Sequence, residues 1–345
     1  MIAAGGAVEA ALERARAAGI HRLAIPTPFA VGRVNCYLIE DDPLTLVDCG
    51  PNSGKALDTL ERALAAHGRR IEDLGRVVIT HQHIDHLGLV DIIARRSGAE
   101  VCALDVLAPV IEDFGADAER DDEPETLMLR HGIPRDVVTA LRAVSRSFRA
   151  WGGSTKVTRA LGDGEALAFR DRSLLVAHRP GHSPSDTVFW DAERRIALVG
   201  DHLIAHVSSN PLISRPLGGK SGDPGNGRPR ALLAYLRSLR ETREMPAELL
   251  LPGHGDPVCD HVALIDERFA FHERRAARIA GLIAAEPRTA YEIAQEMWGN
   301  VAVTQAYLAL SEVLGHVDLL LASQRVRESE EHGVVHFVAQ TRPGG

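Results

Sequence analysis

Thr80-His81-Gln82-His83-Ile84-Asp85-His86 sets three histidines and an aspartate within six residues, directly behind the apolar run Val77-Val78-Ile79. In an extended segment alternate side chains share a side, so His81, His83 and Asp85 are expected to point together, with His86 turning in as a helix begins. Imidazole nitrogens and a carboxylate oxygen held near one point suit zinc, and also iron or manganese. A lone His-x-His pair would be an ordinary solvated loop. The metal reading therefore needs matching residues elsewhere, in loops that follow strands.

Three stretches downstream meet that condition. His182 lies in Arg179-Pro180-Gly181-His182-Ser183-Pro184, Asp201 in Val199-Gly200-Asp201-His202, and His254 in Leu251-Pro252-Gly253-His254-Gly255. Each follows an apolar run and has glycine or proline beside it, residues that let a chain turn sharply and present a side chain. Upstream, Asp48 ends the run Leu44–Val47 in the turn Asp48-Cys49-Gly50-Pro51. The other histidines lack such a context, apart from His202 next to Asp201, which reads equally as a substrate contact or a structural residue.

The 345 residues correspond to about two domains at ~150 residues each, and 45% hydrophobic with 25% charged residues fits a protein with a large core. Period and punctuation predict a helix over 6–18 and strands over 21–25, 34–39 and 44–47. A helix over 53–67, a strand over 76–80, a helix over 85–96 and a strand over 100–103 follow. From Leu104 to Trp151 about three helical segments replace the strand pattern, an insertion of the size that forms a lid or substrate wall, where Phe114, Met128, Phe148 and Trp151 are candidate apolar contacts, although core packing is the commoner role for any one of them. Strands resume between 156 and 199. A loop rich in glycine (Gly218, Gly219, Gly222, Gly225, Gly227) precedes a helix over 229–243 and a strand over 248–251. This order predicts an α+β, αββα sandwich over residues 1–260. Residues 261–345 read as three helices and two short strands, the order of a winged helix.

The ordered set HxHxDH, PGHS, GD and PGHG resembles the metallo-β-lactamase-fold hydrolase superfamily over roughly residues 20–260. The tail resembles the winged-helix extension of the lactamase-like protein 2 subgroup. Carried over, the resemblance implies one metal held by His81, His83 and His182, a second by Asp85, His86 and His254, and Asp201 bridging them. Asp48 would support the site by hydrogen bonding. A hydroxide between the two ions would attack an ester-like carbonyl, with Asp85 orienting it or passing a proton. The cofactor implied is two divalent ions, Zn2+ first and Fe or Mn next.

The bridging aspartate argues against antibiotic hydrolysis, since zinc β-lactamases of the superfamily generally lack it. Glyoxalase II-like thioesterases share the ligand set, so a small thioester or ester is expected, with a lactone as the alternative and RNA processing as the alternative of another class. Arg215, Lys220, Arg228 and Arg230 are candidates to grip an anionic handle on a small-molecule substrate. Nucleic acid is disfavoured. Net charge is -8, and from Leu282 onward four arginines face eight carboxylates, with no Lys or Arg in the would-be recognition helix 304–322, whereas phosphate neutralisation drives such binding. The tail is therefore expected to be a cap or a homo-oligomer surface. The first twenty residues lack a secretory pattern and no long apolar span occurs, so a cytoplasmic protein without membrane contact is expected. Cys36, Cys49, Cys102 and Cys259 form no CxxC pair.

Overall fold

The apolar runs between residues 20 and 161 assemble into one sheet in the computed structural model, which describes residues 2–114, 123–148, 151–209, 211–214, 217, 228–300 and 305–340. The strands are β1 (Ile20–Ile25), β2 (Val34–Ile39), β3 (Thr45–Val47), β4 (Arg76–Ile79), β5 (Glu100–Leu104) and β6 (Arg159–Leu161), in that spatial order. β1, β2 and β3 pair antiparallel, and β3 through β6 pair parallel. The parallel half needs crossovers, which α2 (Gly54–Ala66), α3 (Ile84–Leu87) and α4 (Val90–Ser97) supply, after the N-terminal α1 (Ile2–Ala17). Ser53 caps α2 by accepting from the Ala56 amide. The single helix expected over 85–96 is two, parted at Gly88 and Leu89.

A second sheet runs β11-β10-β9-β8-β7, from β7 (Ala166–Ala168), β8 (Ser173–His178), β9 (Thr187–Asp191), β10 (Ile196–Gly200) and β11 (Leu249–Pro252). Its two-residue period shows in which core each side chain joins. Ile196, Leu198, Leu249 and Leu251 enter the layer between the sheets, while Ala197, Val199 and Leu250 face the opposite side. A later helix covers that opposite side with Leu232, Tyr235, Leu236 and Leu239. The layers are thus the expected helix, sheet, sheet and helix.

The insertion is helical, as read: α5 (Ala108–Glu112), α6 (Glu123–Arg130) and α7 (Arg135–Phe148). Its packing differs from that of a free lid. Met128, Ile133 and Val138 share a core with Ile279, Ile283, Ile293, Leu310, Val313, Leu314 and Phe337. Those partners come from α9 (His261–Ala285), α10 (Ala290–Trp298), α11 (Ala306–Ala322) and the hairpin β12 (Val326–Glu331)–β13 (Val334–Ala339). α8 (Ala231–Arg243) precedes β11, and a short 3-10 turn at Ile71–Asp73 leads into β4. Thr289 and Glu292 close a capping box at the start of α10, accepting from each other's backbone amides. The C-terminal elements occur in the order three helices then hairpin. Among the described residues no helix is long and apolar enough to cross a membrane.

The basic loop is reported only in part. Arg215, Lys220, Gly218, Gly219, Gly222, Gly225 and Gly227 lie outside the described residues, as do Arg342 and the side chain of Phe148. Arg228 is described, and it does not offer a free cation to substrate. Its guanidinium is buried and makes a bidentate pair with Asp318 of α11, Nη1 to Oδ2 at 2.7 Å and Nη2 to Oδ1 at 2.6 Å.

Candidate metal centre

Five strands end at one place. Asp48 follows β3, the histidine cluster follows β4, His182 follows β8, Asp201 follows β10 and His254 follows β11, so both sheets deliver side chains from their carboxyl edges. Two groups of donor atoms form there: His81, His83, His182 and Asp201, and beside them Asp85, His86 and His254, with the atoms of each group within 4.8 Å of one another. All seven ligand candidates read from the sequence are therefore together. Their partition corrects the alternation argument. His83 ends the extended stretch and Ile84 starts α3, so Asp85 rotates away from His81 and His83 and joins His86 and His254, the grouping the family resemblance implies.

Hydrogen bonds outside the cluster decide which ring nitrogens carry lone pairs. Asp48 Oδ1 and Oδ2 accept from the Thr80 amide and hydroxyl, each at 2.9 Å. With its proton committed to Asp48, Thr80 Oγ1 accepts from His81 Nδ1 at 3.0 Å. His86 Nδ1 donates to Asp48 Oδ2 at 2.8 Å, and His254 Nδ1 to the Arg33 carbonyl at 2.8 Å. The Nε2 lone pairs of His81, His86 and His254 are thereby turned inward, an outer arrangement that fixes tautomer and ring plane in metal sites.

What those lone pairs face tests whether ions fit. His83 Nδ1 stands 3.0 Å from His81 Nε2 and 2.9 Å from His182 Nε2. Asp201 spans both groups, with Oδ1 3.4 Å from His86 Nε2 and Oδ2 3.6 Å from His182 Nε2 and 3.5 Å from His254 Nε2. Asp85 Oδ2 is 3.3 Å from His254 Nε2. Donors ~2.0 to 2.1 Å from a tetrahedral zinc stand roughly 3.3 Å apart, which the observed separations bracket. His86 Nε2, His254 Nε2 and Asp201 Oδ1 are buried without a hydrogen-bond partner among the described residues. Buried polar atoms are rarely left so, and a pair of cations satisfies all three. Gly253 is a further fit: a Cβ there would come within 2.4 Å of Asp201 Oδ1 and 2.6 Å of His86 Cε1, so only glycine lets the backbone pass.

The electrostatics favour the ligating protonation states at His81, His83, Asp85 and Asp201. At His86 and His254 the lowering by burial is outweighed by Asp201 and the neighbouring carboxylates, which raise both imidazoles until a cation takes the proton's place. Burial holds His81 far below the usual imidazole range and takes His83 to about 3, keeping both neutral. Burial alone would raise the Asp85 and Asp201 carboxyls. The imidazoles of His86 and His254 more than offset it, and both carboxylates are held below their ordinary range.

Asp48 sits at φ 57°, the left-handed region that few non-glycine residues adopt, and its two oxygens serve Thr80 and His86 together. Asp48→Asn keeps the shape and loses the charge that makes His86 a better donor. It is expected to weaken metal binding about 10- to 100-fold, read by competition with a chelator; unaltered affinity would remove Asp48 from the site. His202, next to Asp201, is packed into the protein rather than exposed to a ligand from solvent. It is buried, Nε2 bonds Thr242 Oγ1 at 2.8 Å, and its ring stands edge-on to Tyr235. Thr80 and the Arg33 carbonyl escape a sequence reading, although Thr80 stands directly before His81.

A two-sheet sandwich with His and Asp side chains gathered at its strand ends is the arrangement of a metal-dependent hydrolase, and its two donor groups fit a dinuclear site. Residues 30–254 match the profile of the Metallo-beta-lactamase superfamily, and the chain belongs to that superfamily. It is similar to the probable metallo-hydrolase YqjP of Bacillus subtilis, 32% identical over 92% of this chain and 97% of the relative. The Beta-lactamase-like protein 2 homolog of Caenorhabditis elegans is 21% identical over 84% of this chain and 78% of its own. Among solved structures, a Beta-lactamase domain protein from Burkholderia ambifaria matches 93% of this chain and 92% of its own, with TM-score 0.78 and 25% identity.

Proposed function

We propose that the chain hydrolyses a small thioester or ester carrying an anionic group, using two zinc ions held by His81, His83 and His182 and by Asp85, His86 and His254, with Asp201 shared. The observation that carries this reading is Asp201, whose carboxylate reaches both donor groups, Oδ1 toward His86 and Oδ2 toward His182 and His254. Divalent ions there supply Lewis acidity toward a carbonyl oxygen and acidify water at neutral pH. The chain's own part is orientation and proton handling. Asp48, Thr80 and the Arg33 carbonyl hold the imidazole planes, and Asp85, on the first turn of α3, takes a proton from the attacking water and returns it to the leaving group. The C-terminal helices and hairpin form a winged-helix-like cap, in which the acidic surface counts against nucleic acid.

Elemental analysis of the purified protein, followed by thioesters, carboxylic esters, lactones, phosphodiesters and RNA offered to the metal-replete enzyme, tests the substrate class. Thioester or ester cleavage that disappears with chelator and returns with Zn2+ is expected. Salt-dependent RNA cleavage with no ester cleaved would reverse the reading.

A further inference from the structure

Arg268 lies on α9, 7% exposed, and among the described residues it pairs with no buried carboxylate. The acidic neighbour described, Glu267, is 67% exposed and 3.5 Å away. The guanidinium is turned instead to backbone: Nη2 lies 3.0 Å from the Ile204 carbonyl, 2.8 Å from Ala205 and 3.2 Å from Val207. A buried guanidinium is costly unless its N–H groups find acceptors; among the described residues Nε has none, and the backbone acceptors all belong to the segment that leaves Asp201.

Apart from Arg268, the segment is held at its start by the Tyr235 hydroxyl, which donates to the His202 carbonyl at 2.9 Å, by His202 Nε2 on Thr242 Oγ1 and by the buried Leu203 and Ile204, whereas residues 205–208 are partly or fully exposed. Residues 202–209 form neither helix nor strand, and the backbone–backbone bond described within them is His202 N to the Val199 carbonyl. Their carbonyls need partners, and a side chain from another element is what supplies them. The segment nevertheless borders most of the centre. It begins at Asp201. His206 lies against the His254 turn, where a Cβ on Gly255 would meet its Nδ1 at 2.4 Å. Beyond it, the Leu212 amide donates to the His182 carbonyl at 3.2 Å, and the Ile213 amide to Ser311 Oγ of α11 at 3.3 Å.

We propose that Arg268 is a positioning residue, a clamp through which the C-terminal helices hold the 202–209 segment as one wall of the metal centre. Its effect on turnover rests on the ester-hydrolase reading; the clamp itself does not. The C-terminal unit is then a component of the active site, and the exposed His206 is held at the rim in one place.

Hydrogen exchange on the full-length Arg268→Met protein tests this directly. Amides of 202–209 are expected to exchange at least about tenfold faster than in the unmodified protein, with strand Ile196–Gly200 unchanged. Metal content should stay the same, and with an ester substrate KM should rise about tenfold while kcat stays within about threefold. Unchanged exchange over 202–209 in the folded variant overturns the proposal whatever the protein hydrolyses. Lowered stability with KM unaltered makes Arg268 an ordinary core residue and overturns it as well. If the methionine variant does not fold, Arg268→Lys decides: its ammonium ends one bond short of the Nη2 position that contacts all three carbonyls, so faster exchange over 202–209 supports the clamp and unchanged exchange refutes it. If the unmodified protein cleaves no ester, the proposed function fails and the exchange measurement alone judges Arg268.

Discussion

Asp85→Asn is expected to lower kcat about 1000-fold, equivalent to about 4 kcal/mol of barrier, in protein reloaded to full metal content. The carboxylate lies at the first turn of α3 with Oδ2 3.3 Å from His254 Nε2, and it is held ionised by the neighbouring imidazoles despite burial. An amide of the same shape can still place an oxygen toward a cation, but it cannot accept a proton at neutral pH. The loss should therefore appear in kcat with KM little changed, and the pH–rate profile should lose its acidic limb. General acid–base contributions span about 100- to 10,000-fold, so turnover within about threefold of normal in metal-replete protein would exclude Asp85 as the proton carrier.

The second large effect concerns stability. Asp318→Ala is expected to destabilise the fold by about 3 to 5 kcal/mol, measured by denaturant unfolding, because it strands the Arg228 guanidinium where neither residue is more than 9% exposed. Burial holds Asp318 above the usual carboxylate range even with Arg228 alongside, so desolvation consumes much of what the pair gains. Replacing both partners together, Arg228→Met with Asp318→Leu, should recover most of the loss. If the double variant is as unstable as the single one, the pair contributes in its own right.

Much of this was legible in the residues because ligands in a sandwich sit at strand ends, and strand ends announce themselves by apolar runs meeting glycine or proline. His182, Asp201 and His254 were found that way. Local pattern failed where contacts cross the chain. The segment 104–151 reads as a lid or substrate wall, with Met128 in a core or against substrate, yet Met128 and Val138 complete a core with members from Ile279 to Phe337, and no period within 123–148 says which core that is. Arg228 read as an anion handle because its sequence neighbours are polar; its partner, 90 residues away, removes it from solvent. The rotation of Asp85 was missed because alternation holds only until a helix starts, and the break falls between His83 and Ile84.

The left-handed backbone at Asp48 makes opposing demands on one codon. Glycine satisfies the φ angle without strain, and asparagine and aspartate tolerate it because their short side chains can hydrogen-bond locally. Only aspartate adds the negative charge that His86 and Thr80 share. A saturation library at this position, selected for folded protein alone, should return glycine, asparagine and aspartate. The same library selected for metal retention should collapse to aspartate, separating by genetics what the turn requires from what the metal centre requires.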